Sequence, residues 1–361
     1  MRVAVLGAGS IGFGVAALLC ERGHDPGIWS PSGAGIAALG ATQPLMATGR
    51  VTGSFRLRTA ANLAGVLSGA EAAIIAVPGY AHRAVIDAVV PLLGPEQTII
   101  ISSHMSMSAL YLSMRLEQRG LRPPIVAWGT TIVTGRKTAP TEVRVSNIRS
   151  RVDIATLPET QAEGGLAICE TLFGKRFMPL PGLVAVSLSN LNPQNHLAIA
   201  LCNFTRIELG EAWRNFAGVT ESVGRLMERL DGERLALAAA YGCAVRTIKE
   251  HFELSFGVGG DTIAAMAQVI AQRDATEGPT SVATRYVTED VPFGLVTTQR
   301  LAELAGMEVP LHESGIRIFS ALYGRDFVTE NNLLPELGLE RITLAALERA
   351  ARVGWHGVKD A

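Results

Sequence analysis

Long apolar runs are missing from this chain. Segments such as Ala72 to Pro78 and Thr98 to Ile101 fall far short of the roughly 20 residues a helix needs to cross a bilayer. No membrane span is expected. An excess of one charge is missing too, with 32 Lys+Arg against 33 Asp+Glu and a formal net charge of -1, so no basic face is offered to nucleic acid. Charged residues make up only 18% and hydrophobic residues 48%, which excludes a disordered composition. Cysteine is scarce. Cys20, Cys169, Cys202 and Cys243 are scattered, without the close spacing of metal ligands or redox motifs. They read as buried free thiols, and no metal is called for. The N-terminus, MRVAVLGAGS, runs directly from strand to glycine turn and leaves no room for a basic, apolar, cleavable leader, so a cytoplasmic protein is expected.

At 361 residues the chain exceeds one ordinary hydrophobic core, and two domains are expected. Up to about residue 180, short apolar runs alternate with amphipathic stretches. Strands are expected at Arg2 to Leu6, Gly27 to Trp29, Phe55 to Arg58, Ala72 to Val77, Thr98 to Ile101 and Ile125 to Ala127. Helices are expected at Ile11 to Arg22, Tyr80 to Leu93 and Ser106 to Arg119. That alternation predicts an α/β domain, a doubly wound and mostly parallel sheet with helices on both faces. After Pro181 helical stretches dominate, such as His196 to Phe216, Glu233 to His251 and Thr297 to Leu304. The proline- and glycine-punctuated join Met178-Pro179-Leu180-Pro181-Gly182 divides the chain into a Rossmann domain, 1–181, and an all-α substrate domain, 182–361.

The first turn carries chemistry. Val3 to Leu6 leads into Gly7-Ala8-Gly9-Ser10-Ile11-Gly12, a strand entering a G-x-G-x-x-G turn that opens a helix. Gly7 permits the tight turn, Gly9 lets backbone approach a pyrophosphate, Gly12 lets helix and strand pack, and the helix start at Ser10 and Ile11 offers amides to the anion. NAD selectivity would need an acidic residue at the end of the second strand. Counting 18 on from Gly12 gives Ser30, and Ile28-Trp29-Ser30-Pro31-Ser32 holds no carboxylate to repel a 2′-phosphate. NADP is favoured over NAD on that ground, although no arginine follows until Arg50 to supply a guanidinium clamp. Val77 and Pro78, beyond a parallel strand, are expected to wall the nicotinamide. His82 and His104 either line the same cleft or merely serve a helix start and a loop.

In the helical part, Ser189-Asn190-Leu191-Asn192-Pro193-Gln194-Asn195-His196 gives His196 a polar, proline-set entry to a helix, and a histidine's ordinary pKa near 6.5 suits proton exchange at neutral pH. Downstream, Arg285-Tyr286-Val287-Thr288-Glu289-Asp290-Val291-Pro292-Phe293-Gly294-Leu295 offers an arginine fork for a carboxylate and acidic partners for a histidine. A solvated, salt-bridged loop is the plainer alternative. Trp213 and Phe216 form either an apolar substrate pocket or core.

Taken together, the glycine turn, Ala76-Val77-Pro78, Asn192 to His196 with Asn203, and Arg285 through Leu295 resemble the octopine/nopaline, or opine, dehydrogenase family over nearly the whole chain. The resemblance implies NAD(P)H-dependent condensation of an amino acid with a 2-oxo acid and reduction of the imine. It makes His196 the acid/base, Asp290 its orienting partner with Glu289 as fallback, and Arg285 the carboxylate anchor. The expected partners are these small molecules, and the oligomeric state, a homodimer included, is left open. Leu197 stands where family members often carry proline. Two other readings share the frame: a ketopantoate-reductase-like or other 2-oxo or hydroxy acid dehydrogenase, and a non-catalytic dinucleotide sensor. The first group places a lysine early in its second domain, and none occurs between Lys175 and Lys249.

Overall fold

The computed structural model describes residues 1–39, 43–60 and 62–359. Two compact units emerge, Met1–Ser187 with Ala345–Ala361, and Leu188–Leu344. The division expected at 181/182 therefore differs from these bounds at both ends. Helix Gly182–Ser189 is nearly all within the first unit, and the last stretch of chain returns to it. One tie is the Trp355 amide, which donates to Ser113 Oγ at 2.9 Å across 242 positions.

In the first unit the strands are β1 (Arg2–Leu6), β2 (Asp25–Trp29), β3 (Leu45–Gly49), β4 (Gly53–Phe55), β5 (Arg58–Thr59), β6 (Ala72–Ile75), β7 (Thr98–Ile101), β8 (Ile125–Trp128), β9 (Val133–Ala139), β10 (Glu142–Ile148), β11 (Val152–Leu157) and β12 (Phe177–Pro179). The main sheet has eight strands in the order β12-β11-β8-β7-β6-β1-β2-β5. It is parallel throughout except where β11 meets β8. Its central strands are apolar on both faces because helices cover both, as a parallel sheet requires. The strand order reverses around β1, flanked by β2 and β6, and open sheets of this kind bind ligands beyond the strand ends at such a reversal.

The segment expected as one strand, Phe55 to Arg58, is divided between β4 and β5, which lie in different sheets. A second sheet, β4-β3-β10-β9, is absent from the sequence expectation. Helix α1 (Ser10–Glu21) packs on it, with Phe13, Val133, Val143 and Val145 in one buried cluster. Elsewhere Trp128 lies edge-on to Phe173 at 5.4 Å. Of the four thiols Cys169 is buried, Cys20 and Cys243 partly so, and Cys202 is exposed.

Further helices of this unit are α2 (Leu63–Leu67), α3 (His82–Val89), α4 (Ser108–Glu117), α5 (Ala162–Phe173) and α6 (Gly182–Ser189). The second unit holds α7 (Asn192–Cys202), α8 (Phe204–Glu208), α9 (Glu221–Ala240), α10 (Ile248–Phe256), α11 (Ile263–Arg273), α12 (Arg285–Thr288), α13 (Val296–Leu304) and α14 (Pro310–Tyr323). Two expected long helices are thus broken: His196 to Phe216 is interrupted at Asn203 and Leu209, and Glu233 to His251 ends at Ala240 before Gly242 at φ +62°. A glycine in the left-handed region ends a helix without a Cβ penalty. Arg234, fully buried, ties α9 to neighbouring backbone by donating to the carbonyls of Leu188 and Arg246. It pairs with Asp231, whose other oxygen accepts the Ile248 amide at 2.9 Å. None of the described helices is long and apolar enough to cross a membrane.

Candidate active site

Gly7 follows β1 with φ +137°, and a Cβ there would lie 2.3 Å from the Ala76 carbonyl oxygen. Its amide donates to Trp29 O at 2.8 Å, which ties the turn to β2. A Cβ on Gly12 would lie 1.9 Å from Gly7 O, so α1 can start against the turn only with glycine there. Gly9 differs: a Cβ on it would meet nothing within 4 Å. The α1 start has no side-chain cap, so first-turn amides around Ser10 and Ile11 are left for a ligand. These features fit a dinucleotide pyrophosphate.

Ser30 sits at the end of β2 with 9% exposure, and the turn after it closes with Gly33 N donating to Ser30 O at 3.0 Å. Val77 and Pro78 follow β6, half-buried and exposed respectively. His82 is fully buried and donates from Nε2 to Val77 O at 3.1 Å. His104, equally enclosed, sits 3.2 Å from Ser187 Oγ through Nδ1. Both histidines are thus buried in the first unit, not set on an open wall. Burial pushes His82 down to about 4 and His104 to about 3.

In the second unit, Pro193 sets the first turn of α7, where its missing amide costs no hydrogen bond. His196 then projects with 15% of its side chain exposed, and its Nδ1 lies 2.6 Å from Asp290 Oδ2, itself 1% exposed. Since a carboxylate only accepts, Nδ1–H donates and Nε2 is the outward nitrogen. Glu289, the fallback partner, instead pairs with Arg285 at 3.4 Å. Arg285 keeps 51% of its side chain exposed.

Tyr286, to which no role is assigned above, stacks on His196 with ring centroids 3.6 Å apart and planes 9° from parallel. Its hydroxyl donates to Asn215 Oδ1 at 3.2 Å, and burial pushes its pKa up to about 12. Its place four positions before Asp290 was the available signal. Gln194, His312 and Glu233 form a largely buried chain in the same unit: Gln194 Nε2 meets His312 Nε2 at 3.1 Å, and His312 Nδ1 meets Glu233 Oε2 at 2.7 Å. They come from three distant stretches of chain, so no local pattern signals them. Trp213 and Phe216 are not on one helix. Trp213 is buried with Nε1 donating to Pro279 O at 3.0 Å, and Phe216 packs edge-on against Phe256 at 5.0 Å. Both serve as core.

After Asp290 the chain makes a wide, π-type turn, Val291–Leu295, in which the Val296 amide reaches back five positions to Val291 O. Such turns are frequent at functional sites. Asn331, 2% exposed, holds this one by donating from Nδ2 to Pro292 O at 2.7 Å and accepting the Leu333 and Leu334 amides at 3.1 and 3.0 Å.

Residues 179–323 match the family model described as NAD/NADP octopine/nopaline dehydrogenase, alpha-helical domain. Residues 2–106 match the N-terminus of NAD-dependent glycerol-3-phosphate dehydrogenase. An opine dehydrogenase of Arthrobacter sp. (strain 1C) is 28% identical over 96% of this chain and 98% of that protein. The protein ocs of Agrobacterium tumefaciens (strain Ach5) is 24% identical over 97% and 98%. Among solved structures, octopine dehydrogenase with NADH and pyruvate superposes with a TM-score of 0.77 at 18% identity, over 96% of this chain and 97% of that one. The likeness runs through nearly the full length of these proteins, and together the helical-domain match and the full-length relatives support the opine dehydrogenase family and an NAD(P)-dependent oxidoreductase.

Proposed function

We propose that the chain couples an amino acid to a 2-oxo acid and reduces the resulting imine, with His196 exchanging the protons, Asp290 orienting it and Arg285 anchoring a substrate carboxylate. NAD(P)H, when bound, supplies the hydride. Gly7, Gly9, Ser10, Ile11 and Gly12 hold its pyrophosphate, Ser30 faces the adenosine ribose, and Val77 and Pro78 flank the nicotinamide.

The observation that carries this reading is the His196–Asp290 contact of 2.6 Å beneath the Tyr286 stack. Condensation must take a proton from the amine nitrogen and give one to the oxygen that leaves as water. Nε2 of His196 can do both in turn, because Asp290 fixes the tautomer and Tyr286 closes one ring face. The Arg285 guanidinium presents a planar fork to a carboxylate. None of the four cysteines is in a disulfide, which accords with a reducing, cytoplasmic setting.

The direct test is oxidation of NADPH and NADH over a matrix of 2-oxo acids and amino acids, with His196→Ala alongside. Turnover should require both substrates and fall by roughly 10²- to 10⁴-fold in the variant, with the dinucleotide dissociation constant nearly unchanged. Binding of dinucleotide without turnover anywhere in the matrix would overturn the assignment in favour of a sensor.

A further inference from the structure

The glycine turn and the end of β2 provide no cation near the adenosine end of the cofactor, and the structure brings one from far along the chain. Lys137 lies on β9, in the second sheet. Its backbone amide donates to Ser10 Oγ at 2.9 Å across 127 positions, which pins β9 to the first residue of α1. The side chain then crosses the Phe13 ring, with Nζ 4.3 Å from the centroid, and donates to Gly35 O at 3.3 Å. Gly35 belongs to the loop after β2, and a Cβ on it would lie 3.1 Å from Ser30 Oγ and 2.8 Å from Ala8 Cβ. The ammonium is therefore held at Gly35, the loop residue that lies directly beside Ser30 and Ala8 of the glycine turn. No ion pair to Lys137 is present among the described residues, and burial lowers its pKa. A half-buried cation held by a carbonyl and a ring face still lacks an anion.

We infer that Lys137 binds the adenosine 2′-phosphate of NADP(H) together with Ser30, and so sets the cofactor preference. This inference rests on the NAD(P)H-dependent reading above. The 2′-phosphate is favoured over the pyrophosphate because the latter has the uncapped first-turn amides of α1, whereas Nζ reaches the loop after β2. A phosphate dianion accepts charge-assisted hydrogen bonds from both an ammonium and a hydroxyl.

The test compares Lys137→Gln and Lys137→Arg with the parent chain in fluorescence titrations with NADPH and NADH, and by calorimetry with adenosine 2′,5′-bisphosphate and ADP. Lys137→Gln should weaken NADPH and the bisphosphate by roughly 10- to 100-fold and NADH and ADP by less than about twofold. Lys137→Arg should retain NADPH within a few-fold. Equal weakening of NADH and NADPH, no change in either, or an arginine variant as impaired as the glutamine variant would each overturn the inference. A parent chain that binds NADH but not NADPH overturns this inference alone. A parent chain that binds neither dinucleotide overturns the functional reading as well.

Discussion

His196 is defined by what touches it. Asp290 accepts a hydrogen bond from its Nδ1–H, and Tyr286 covers a face at 3.6 Å, so a reacting group must approach Nε2 or the open face. The stack needs the ring of Tyr286, not its hydroxyl. Tyr286→Phe is therefore expected to keep kcat within about threefold, whereas Tyr286→Leu should lower it roughly 3- to 10-fold, the worth of an aromatic pair. Steady-state kinetics on both variants decides this, and an equal loss in the two would move the role to the hydroxyl and Asn215. Arg285, half exposed and shared with Glu289, should show itself in affinity. Arg285→Lys is expected to raise KM for the oxo acid, because an ammonium cannot reproduce a bidentate fork. An unchanged KM for both substrates would remove the anchor.

Among the elements, the wide turn Val291–Leu295 shows how a departure from regular helix is made stable. Pro292 has no amide to give, and the loosened carbonyls are met from outside the ladder: Asn331 takes Pro292 O at 2.7 Å, and Thr297 Oγ1 takes Phe293 O at 2.8 Å. Asn331→Ala would strand one buried carbonyl and two amides, for a cost of about 2–4 kcal/mol. Because the turn begins directly after Asp290, kcat should fall in that variant while NADPH affinity holds. Denaturant titration and cofactor titration together check this, and unaltered stability would show that water replaces the side chain.

Local signals made some elements legible and hid others. The strand, glycine turn and helix of residues 2–21 were readable because three glycines mark closely spaced contacts along one stretch of chain. The second sheet was not, since β3 and β10 pair across 96 positions, as Glu142 with Met46 (142 minus 46), and β9 reads as a polar stretch in isolation. Lys137 was hidden for the same reason. Gly242, at φ +62°, is the local stop signal for α9. The motif from Arg285 to Leu295 was legible as a unit, whereas the tyrosine inside it acquires meaning only when His196 lies against its face.

For the whole molecule, the two interior histidines of the first unit govern acid behaviour. Burial holds His82 at about 4 and His104 at about 3, while the unfolded chain protonates each near 6.5. Between these values the unfolded state binds more protons, so stability is full above about pH 6.5 and is lost as pH falls toward the folded values. Each such histidine costs about 1.4 kcal/mol per pH unit in that window. The melting temperature should hence drop steadily from pH 6.5 to 5, before most carboxylates titrate, and His104→Gln should flatten the slope. A melting temperature independent of pH over that range would show that the two rings are solvated in the folded state.

The contact of Trp355 with Ser113 imposes an order in time. During synthesis nearly all of the nucleotide unit emerges first, yet Ser113 waits until the entire helical unit has been made before its partner arrives. The part of the chain that is translated earliest is thus the last to be completed. A break just after Leu344 leaves the helical unit whole and injures the nucleotide unit, whose strands all lie before it.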